Sequence, residues 1–151
     1  MDLSEFLVRA KVSSYASGGE RSERKLEDGG KEFVHEEGGF RYRDRYFGSD
    51  PFAGEEVVWR DGKAVWVMNY RGQTTTPNPP AEKIYAFLRS AMRRVAPERP
   101  FRGPAVCAEG DFEYRDRSEG TVEHFIGEER ILHQGKEIYR LRYHGGFVRD
   151  K

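Results

Sequence analysis

Four carboxylates stand among aromatic residues in this chain: Asp44 and Glu55 in its first half, Asp116 and Glu128 in its second. An unpaired carboxylate among aromatic side chains is costly, so each needs a partner or an opening to solvent. Two such groups in one cleft suit general acid and base roles, as in glycosidases, where the surroundings drive two pKa values apart. They equally suit holding a cationic or polyhydroxylated ligand, with Trp66 and Tyr70 stacking on it. A plainer arrangement leaves the glutamates in solvent at strand ends or paired with arginine, and Arg130 stands two residues from Glu128.

Other reactive patterns are missing. Cys107 is the single cysteine, and His35, His124, His133 and His144 are scattered, so neither C-x-x-C nor H-E-x-x-H spacing exists and no metal site is expected. There is no Walker loop, no G-x-G-x-x-G fingerprint and no G-x-S-x-G elbow, and no cofactor is expected. Cys107 reads as a small buried core residue.

The clearest positioning element is the stretch from Gly54 to Gly72, a β-hairpin turning at Asp61-Gly62. Asp-Gly tolerates the positive φ that a type I′ turn needs, and the flanks are rich in Val, Trp and Tyr. The turn sets Arg60 opposite Lys63, Trp59 opposite Ala64, Val57 opposite Trp66 and Glu55 opposite Met68. Glu55, Val57, Trp59, Trp66, Met68 and Tyr70 then share one face.

Before this hairpin, Asp2 and Glu5 form a capping-box pattern, and Leu3, Phe6, Leu7 and Ala10 recur at helical spacing, predicting a helix over about 3–14 that Gly18-Gly19 stops. Residues 17–31 hold one sizeable apolar residue, Leu26, and read as a surface loop with a short strand at 24–27. Phe33 and His35 alternate in a strand. Phe40, Tyr42, Asp44 and Tyr46 share a face of the next, with Arg41, Arg43 and Arg45 opposite. After the hairpin, Asn78 with Pro79-Pro80 supplies an N-cap and first turn to a second helix. Its apolar stripe is Ile84, Phe87, Leu88, Ala91, Met92 and Val95. Arg93, Arg94, Arg99 and Arg102 gather at its end and in the RPFRGP loop.

The second half repeats the first. Phe112, Tyr114, Asp116 and Arg117 match Phe40, Tyr42, Asp44 and Arg45 at an offset of 72. At an offset of 73, Gly127, Glu128 and Glu129 match Gly54, Glu55 and Glu56, and Tyr139 and Tyr143 match Trp66 and Tyr70. Glu128, Arg130, Leu132, Tyr139, Leu141 and Tyr143 therefore form the equivalent face. The expected fold is α+β: an internally duplicated unit of one helix plus an antiparallel β-meander. The units are about 1–72 and about 79–151, joined by a linker at 73–78, in one pseudo-symmetric domain with a curved antiparallel sheet.

Composition agrees with a single domain. At 151 residues the chain can bury a core without disulfides or metal. Lys plus Arg and Asp plus Glu each number 26, so no net field steers it to nucleic acid or to an acidic membrane. No run of 18 apolar residues and no signal-peptide pattern occurs, and the expected setting is cytoplasmic.

In combination, SYASGG, YRDRYFGSDPFAGEEVVWRDGKAVWVMNY, RPFRGP and YHGG resemble an uncharacterised bacterial and archaeal domain of unknown function, over nearly the whole chain. Members occur alone or behind a Cro/repressor-type helix-turn-helix segment, which implies a sensing or regulatory module. No such segment precedes the first helix here, so direct nucleic-acid binding is not expected. The positions carried over as candidate ligand-binding residues are Tyr15, Asp44, Glu55, Glu56, Trp66, Asn69, Tyr70, Arg102, Tyr143 and His144. The leading expectation is a small-molecule-binding or sensor-like domain with an aromatic, acidic cleft around Asp44 and Glu55. The alternatives are an acid/base hydrolase pairing Glu55 with Glu128 or Asp44, and a protein-interaction module of open oligomeric state.

Overall fold

A computed structural model describes residues 1–14 and 23–151. These form two helices, α1 (Leu3–Ser13) and α2 (Ala81–Met92), and nine strands. The strands are β1 (Arg24–Lys25), β2 (Lys31–Glu37), β3 (Phe40–Gly48), β4 (Phe52–Arg60), β5 (Lys63–Thr74), β6 (Val106–Glu109), β7 (Phe112–Thr121), β8 (His124–His133) and β9 (Lys136–Phe147). All nine join one antiparallel sheet in the order β1-β2-β3-β4-β5-β9-β8-β7-β6. The fold is α+β. No described helix is long and apolar enough to cross a membrane.

Local sequence explains the ends of these elements. Asp2 caps α1, its carboxylate accepting from the Glu5 amide at 2.9 Å. The Gly18-Gly19 stop and Tyr15 lie outside the described residues. Helix α2 departs from expectation: Pro80, not Asn78, is its N-cap, and no side chain caps it. Its apolar stripe buries as expected, from Ile84 to Val95. Gln73 and Thr74, expected in a linker, are the last residues of β5.

Both helices cover the same face of the sheet. Phe6 of α1 stacks on Phe40 with ring centroids 4.9 Å apart, and Phe87 of α2 stacks on Phe112 at 5.3 Å. Burying a phenylalanine side chain fully is worth about 1.5–3 kcal/mol, and each stack adds to that. The opposite, outer face carries charged ladders. Arg115 pairs with Glu113 at 3.0 Å, Arg140 with Glu137 at 3.0 Å and Arg142 with Glu128 at 3.3 Å.

The sheet's register corrects the face expected for the hairpin. Asp61 (φ 49°) and Gly62 (φ 81°) make the turn, and Arg60 faces Lys63 and Trp59 faces Ala64 as expected. A β-bulge between Val58 and Trp59 then shifts the ladder, so Val58 faces Trp66, Glu56 faces Met68 and Glu55 faces Asn69. One extra residue sends alternate side chains to the other face. Glu56 turns inward and Glu55 outward, while Trp59 sits outside with Arg41 and Arg43 each 5.3 Å from its ring. Between Ile131 and Leu132 a second bulge does the same to β8, so Glu129 is buried and Glu128 is not.

Three rows cross the buried face. Tyr46, Gly54, Tyr70, Tyr143, Gly127 and Ser118 follow one another from β3 to β7. On one side of this row run Asp44, Glu56, Met68, Gly145 and Phe125. On the other run Asp116, Glu129, Leu141, Gly72 and Phe52. Gly127 is required where it stands, because a Cβ there would overlap the ring of Tyr143.

Candidate functional site

The two inner rows place a pair of carboxylates side by side in each half of the sheet. Asp44 is the direct cross-strand neighbour of Glu56, and Asp116 of Glu129. All four are buried, with Asp44 5% and Glu129 0% exposed. Each is held by phenol donors. Tyr70 donates to Asp44 at 2.6 Å and Tyr42 to Glu56 at 2.7 Å. In the other half Tyr143 donates to Asp116 at 2.8 Å, while Tyr114 and Tyr139 donate to Glu129 at 2.5 and 2.8 Å. Burial pushes Tyr42, Tyr70, Tyr114 and Tyr143 above their ordinary range, so these four phenols stay protonated and remain donors.

A buried cation answers each glutamate. Lys11 of α1 reaches Glu56 at 2.8 Å, and its ammonium also donates to the Phe101 carbonyl. Arg102 grips Glu129 with two parallel bonds of 3.0 Å and lies over the Tyr70 ring at 5.6 Å. Burial lowers the Lys11 pKa, and Glu56 opposes that shift. The aspartates lack so close a partner. Burial first, and then the neighbouring glutamate, push Asp44 and Asp116 up to about 7 each. The outcome in each half is a glutamate paired with a cation beside an aspartate that holds its proton to near neutrality.

One half opens to a cavity. A space of about 320 Å³ lies between α2 and the sheet, with Asp44, Phe52 and Tyr70 on the sheet side and Tyr85 and Arg89 on the helix side. Lys31, Tyr46 and Arg102 also line it, and the Glu82 carboxylate stands at its edge. Phe52 meets Tyr70 and Tyr85 with centroids 5.9 Å away in each case. Tyr85 is fixed in turn by donating to Asp50 at 2.9 Å.

Of the ten expected site residues, Asp44, Tyr70 and Arg102 meet at this cavity, with Glu56 buried directly beside Asp44. Trp66 and Tyr143 are core. Trp66 is fully buried, stacks on Phe125 at 5.7 Å and donates to the Val122 carbonyl at 3.1 Å. Asn69 and His144 line a groove of about 770 Å³ on the outer face, together with Glu128 and Arg142, and Tyr70 and Tyr143 also border it. Glu55 is exposed on that face, opposite Asn69. Glu55 and Glu128 therefore do not share the aromatic interior with Asp44. Among the described residues no group of His, Cys, Asp and Glu could hold a metal ion. Asp116 is singled out by sequence as a carboxylate among aromatic residues but not as a ligand contact; Lys11 and Glu129 are not singled out, although Lys11 falls four residues after Leu7 on the apolar stripe of α1.

A family model described as a domain of unknown function, DUF5680, matches residues 44–148. This chain belongs to the DUF5680 family. No curated protein and no solved structure matches it. The match begins at Asp44 itself and takes in the aspartate and glutamate of both pairs, Tyr70, Tyr143 and Arg102, but not α1 or Lys11. In this DUF5680 protein the cation for the first pair thus comes from outside the matched span, and the cation for the second from inside it.

Proposed function

We propose that this DUF5680 protein is a small-molecule-binding, sensor-like domain whose ligand enters the cavity between α2 and strands β3 to β5. One observation carries it: a carboxylic acid 5% exposed, Asp44, lines a cavity of about 320 Å³ alongside aromatic rings and cations. Concave, mostly apolar sites with a few converging polar groups are the usual form of ligand pockets. The sensor part of the proposal rests on the resemblance to domains fused behind helix-turn-helix segments. A cytoplasmic setting and no direct nucleic-acid contact go with it, and the glutamate partners of Arg115, Arg140 and Arg142 support the latter.

The proposal also takes the chain as one domain of two duplicated units. The matching order of Asp, Glu, large apolar residue, Gly and Phe in the two inner rows supports this, as does the direct pairing of Tyr70 with Tyr143. The test is a thermal-shift screen of metabolites against the protein and its Asp44→Asn variant. A ligand present at a hundred times its Kd raises stability by about 2.7 kcal/mol. The proposal expects at least one compound whose stabilisation weakens in Asp44→Asn. Compounds that stabilise both forms equally, or none that stabilise either, contradict it.

A further inference from the structure

The second half of the sheet has the same wall as the cavity, and there the chain fills the space itself. Phe125 and Tyr143 meet at 6.0 Å and 50°, much as Phe52 and Tyr70 meet at 5.9 Å and 57°. Tyr143 donates to Asp116 as Tyr70 donates to Asp44. Against this second wall lies the loop that follows α2. Its Phe101 ring stacks on Phe125 with centroids 4.2 Å apart and planes 24° apart. Its Arg99 guanidinium stands 3.6 Å from the Asp116 carboxylate and donates to the Asp116 carbonyl at 3.0 Å and to Ser118 at 3.2 Å.

A flat ring against the phenylalanine and a planar cation at the aspartate are thus what this wall accepts when it is occupied. At the first wall Phe52 meets Tyr85 edge-on at 69°, and no described residue stacks on Phe52 face to face. Nor does any described arginine form an ion pair with Asp44 among the pairs within 4.0 Å. The wall, the acid and the hydrogen bond that orients the acid are all present, and no described residue fills the space in front of them as Arg99 and Phe101 fill the other.

Resting on the pocket proposed above, we infer that its ligand is a planar cation, a guanidinium or amidinium carried on a flat ring, seated on Asp44 and Phe52 as Arg99 and Phe101 are seated on Asp116 and Phe125. A guanidinium suits the site because it is weakly hydrated, planar and able to both stack and donate. Of the other cations lining the cavity, Arg102 is held by Glu129, while Lys31 of β2 and Arg89 of α2 favour an acceptor or carboxylate on the end of the ring away from Asp44.

The experiment is a titration of the full chain at pH 8 with phenylguanidine, its neutral isostere phenylurea, and benzoate, followed by calorimetry and by backbone amide NMR. Phenylguanidine is expected to bind once, to shift resonances of Phe52, Tyr70 and Tyr85, and to bind at least about tenfold more tightly than phenylurea. Asp44→Asn should remove that preference. Ser49→Trp, a change at an exposed residue of the cavity lining, should block binding without touching the acid. If Asp44→Asn does not fold, the comparison of phenylguanidine with phenylurea on the unaltered chain, together with Ser49→Trp, decides the matter. Phenylurea or benzoate binding in the cavity as tightly as phenylguanidine overturns the inference and leaves the pocket proposal standing. Phenylguanidine binding elsewhere, or not at all, also overturns it. The pocket proposal falls only if the metabolite screen is also blank, or if every compound it finds stabilises Asp44→Asn as well as the unaltered chain.

Discussion

Asp44 and Glu56 are direct cross-strand partners on the buried face of one sheet, and both side chains are almost fully removed from solvent. Like charges placed opposite one another in a sheet are destabilising, and burial multiplies the cost. The fold answers by dividing the work. Glu56 has the Lys11 ammonium, while Asp44 has a neutral phenol and a pKa raised to about 7. Asp116 and Glu129, with Arg102 as the cation, repeat the arrangement.

This division predicts how stability depends on pH. Asp44 and Asp116 titrate near 7 when folded, against an ordinary value of 3.8. Between those values the folded protein holds protons that the unfolded chain has released, so stability falls as pH rises through the window. The slope contributed is up to about 1.4 kcal/mol per pH unit for each group, and it flattens once both aspartates are ionised in the folded state. Asp44→Asn imitates the protonated acid and keeps an acceptor for Tyr70. It should flatten part of that slope and stabilise the protein at pH 8 by about 1–2 kcal/mol, read from urea unfolding at several pH values. An unchanged slope in Asp44→Asn contradicts the assignment.

Lys11→Met should be far more harmful than a surface lysine change. Removing one partner of a buried ion pair typically costs about 3–5 kcal/mol, because the other charge is left unpaired. Adding Glu56→Gln should recover a part of that loss. A double-mutant cycle by chemical denaturation checks it, and a small effect of Lys11→Met would mean the ammonium is not needed by Glu56.

Tyr70→Phe removes the hydroxyl that favours ionised Asp44. Its carboxyl should titrate still higher than about 7, measured by carboxyl-carbon NMR, and stability above neutral pH should fall by about 1–3 kcal/mol.

Gly127→Ala should destabilise by about 2–3 kcal/mol, since the new methyl must displace the Tyr143 ring and with it the hydrogen bond to Asp116. Gly135→Ala meets open space, and its cost should be limited to about 1 kcal/mol for a positive φ. Thermal unfolding of the two variants separates crowding from backbone strain.

Much of the scaffold could be read from residue order. The Asp61-Gly62 turn, the Asp2 cap and the stripe from Ile84 to Val95 rest on local chemistry, and local chemistry is what a sequence displays. The carboxylate that matters was harder. Counting outward from the turn makes Glu55 the inner residue, and only the bulge beside Val58 makes it Glu56. A bulge adds a single residue and leaves no strong mark in a run such as VVWRDGKAVWV, yet it inverts every face beyond it. Asp44 is legible because its strand has no bulge before it and an acid on an aromatic face stands out. Lys11 is not legible, because a lysine on an apolar stripe is usually a solvated flank and its use depends on Glu56 lying beside it in the fold. The aligned copies did hold a signal for Asp116 and Glu129, whose counterparts are Asp44 and Glu56.

The central claim is that the space between α2 and the sheet is a binding site, and amide NMR during titration with a stabilising compound tests it most directly. The account predicts that the largest shifts cluster at Tyr46, Phe52, Tyr70 and Tyr85, around Asp44. Shifts confined to Asn69, Glu128, Arg142 and His144 on the outer face would contradict it.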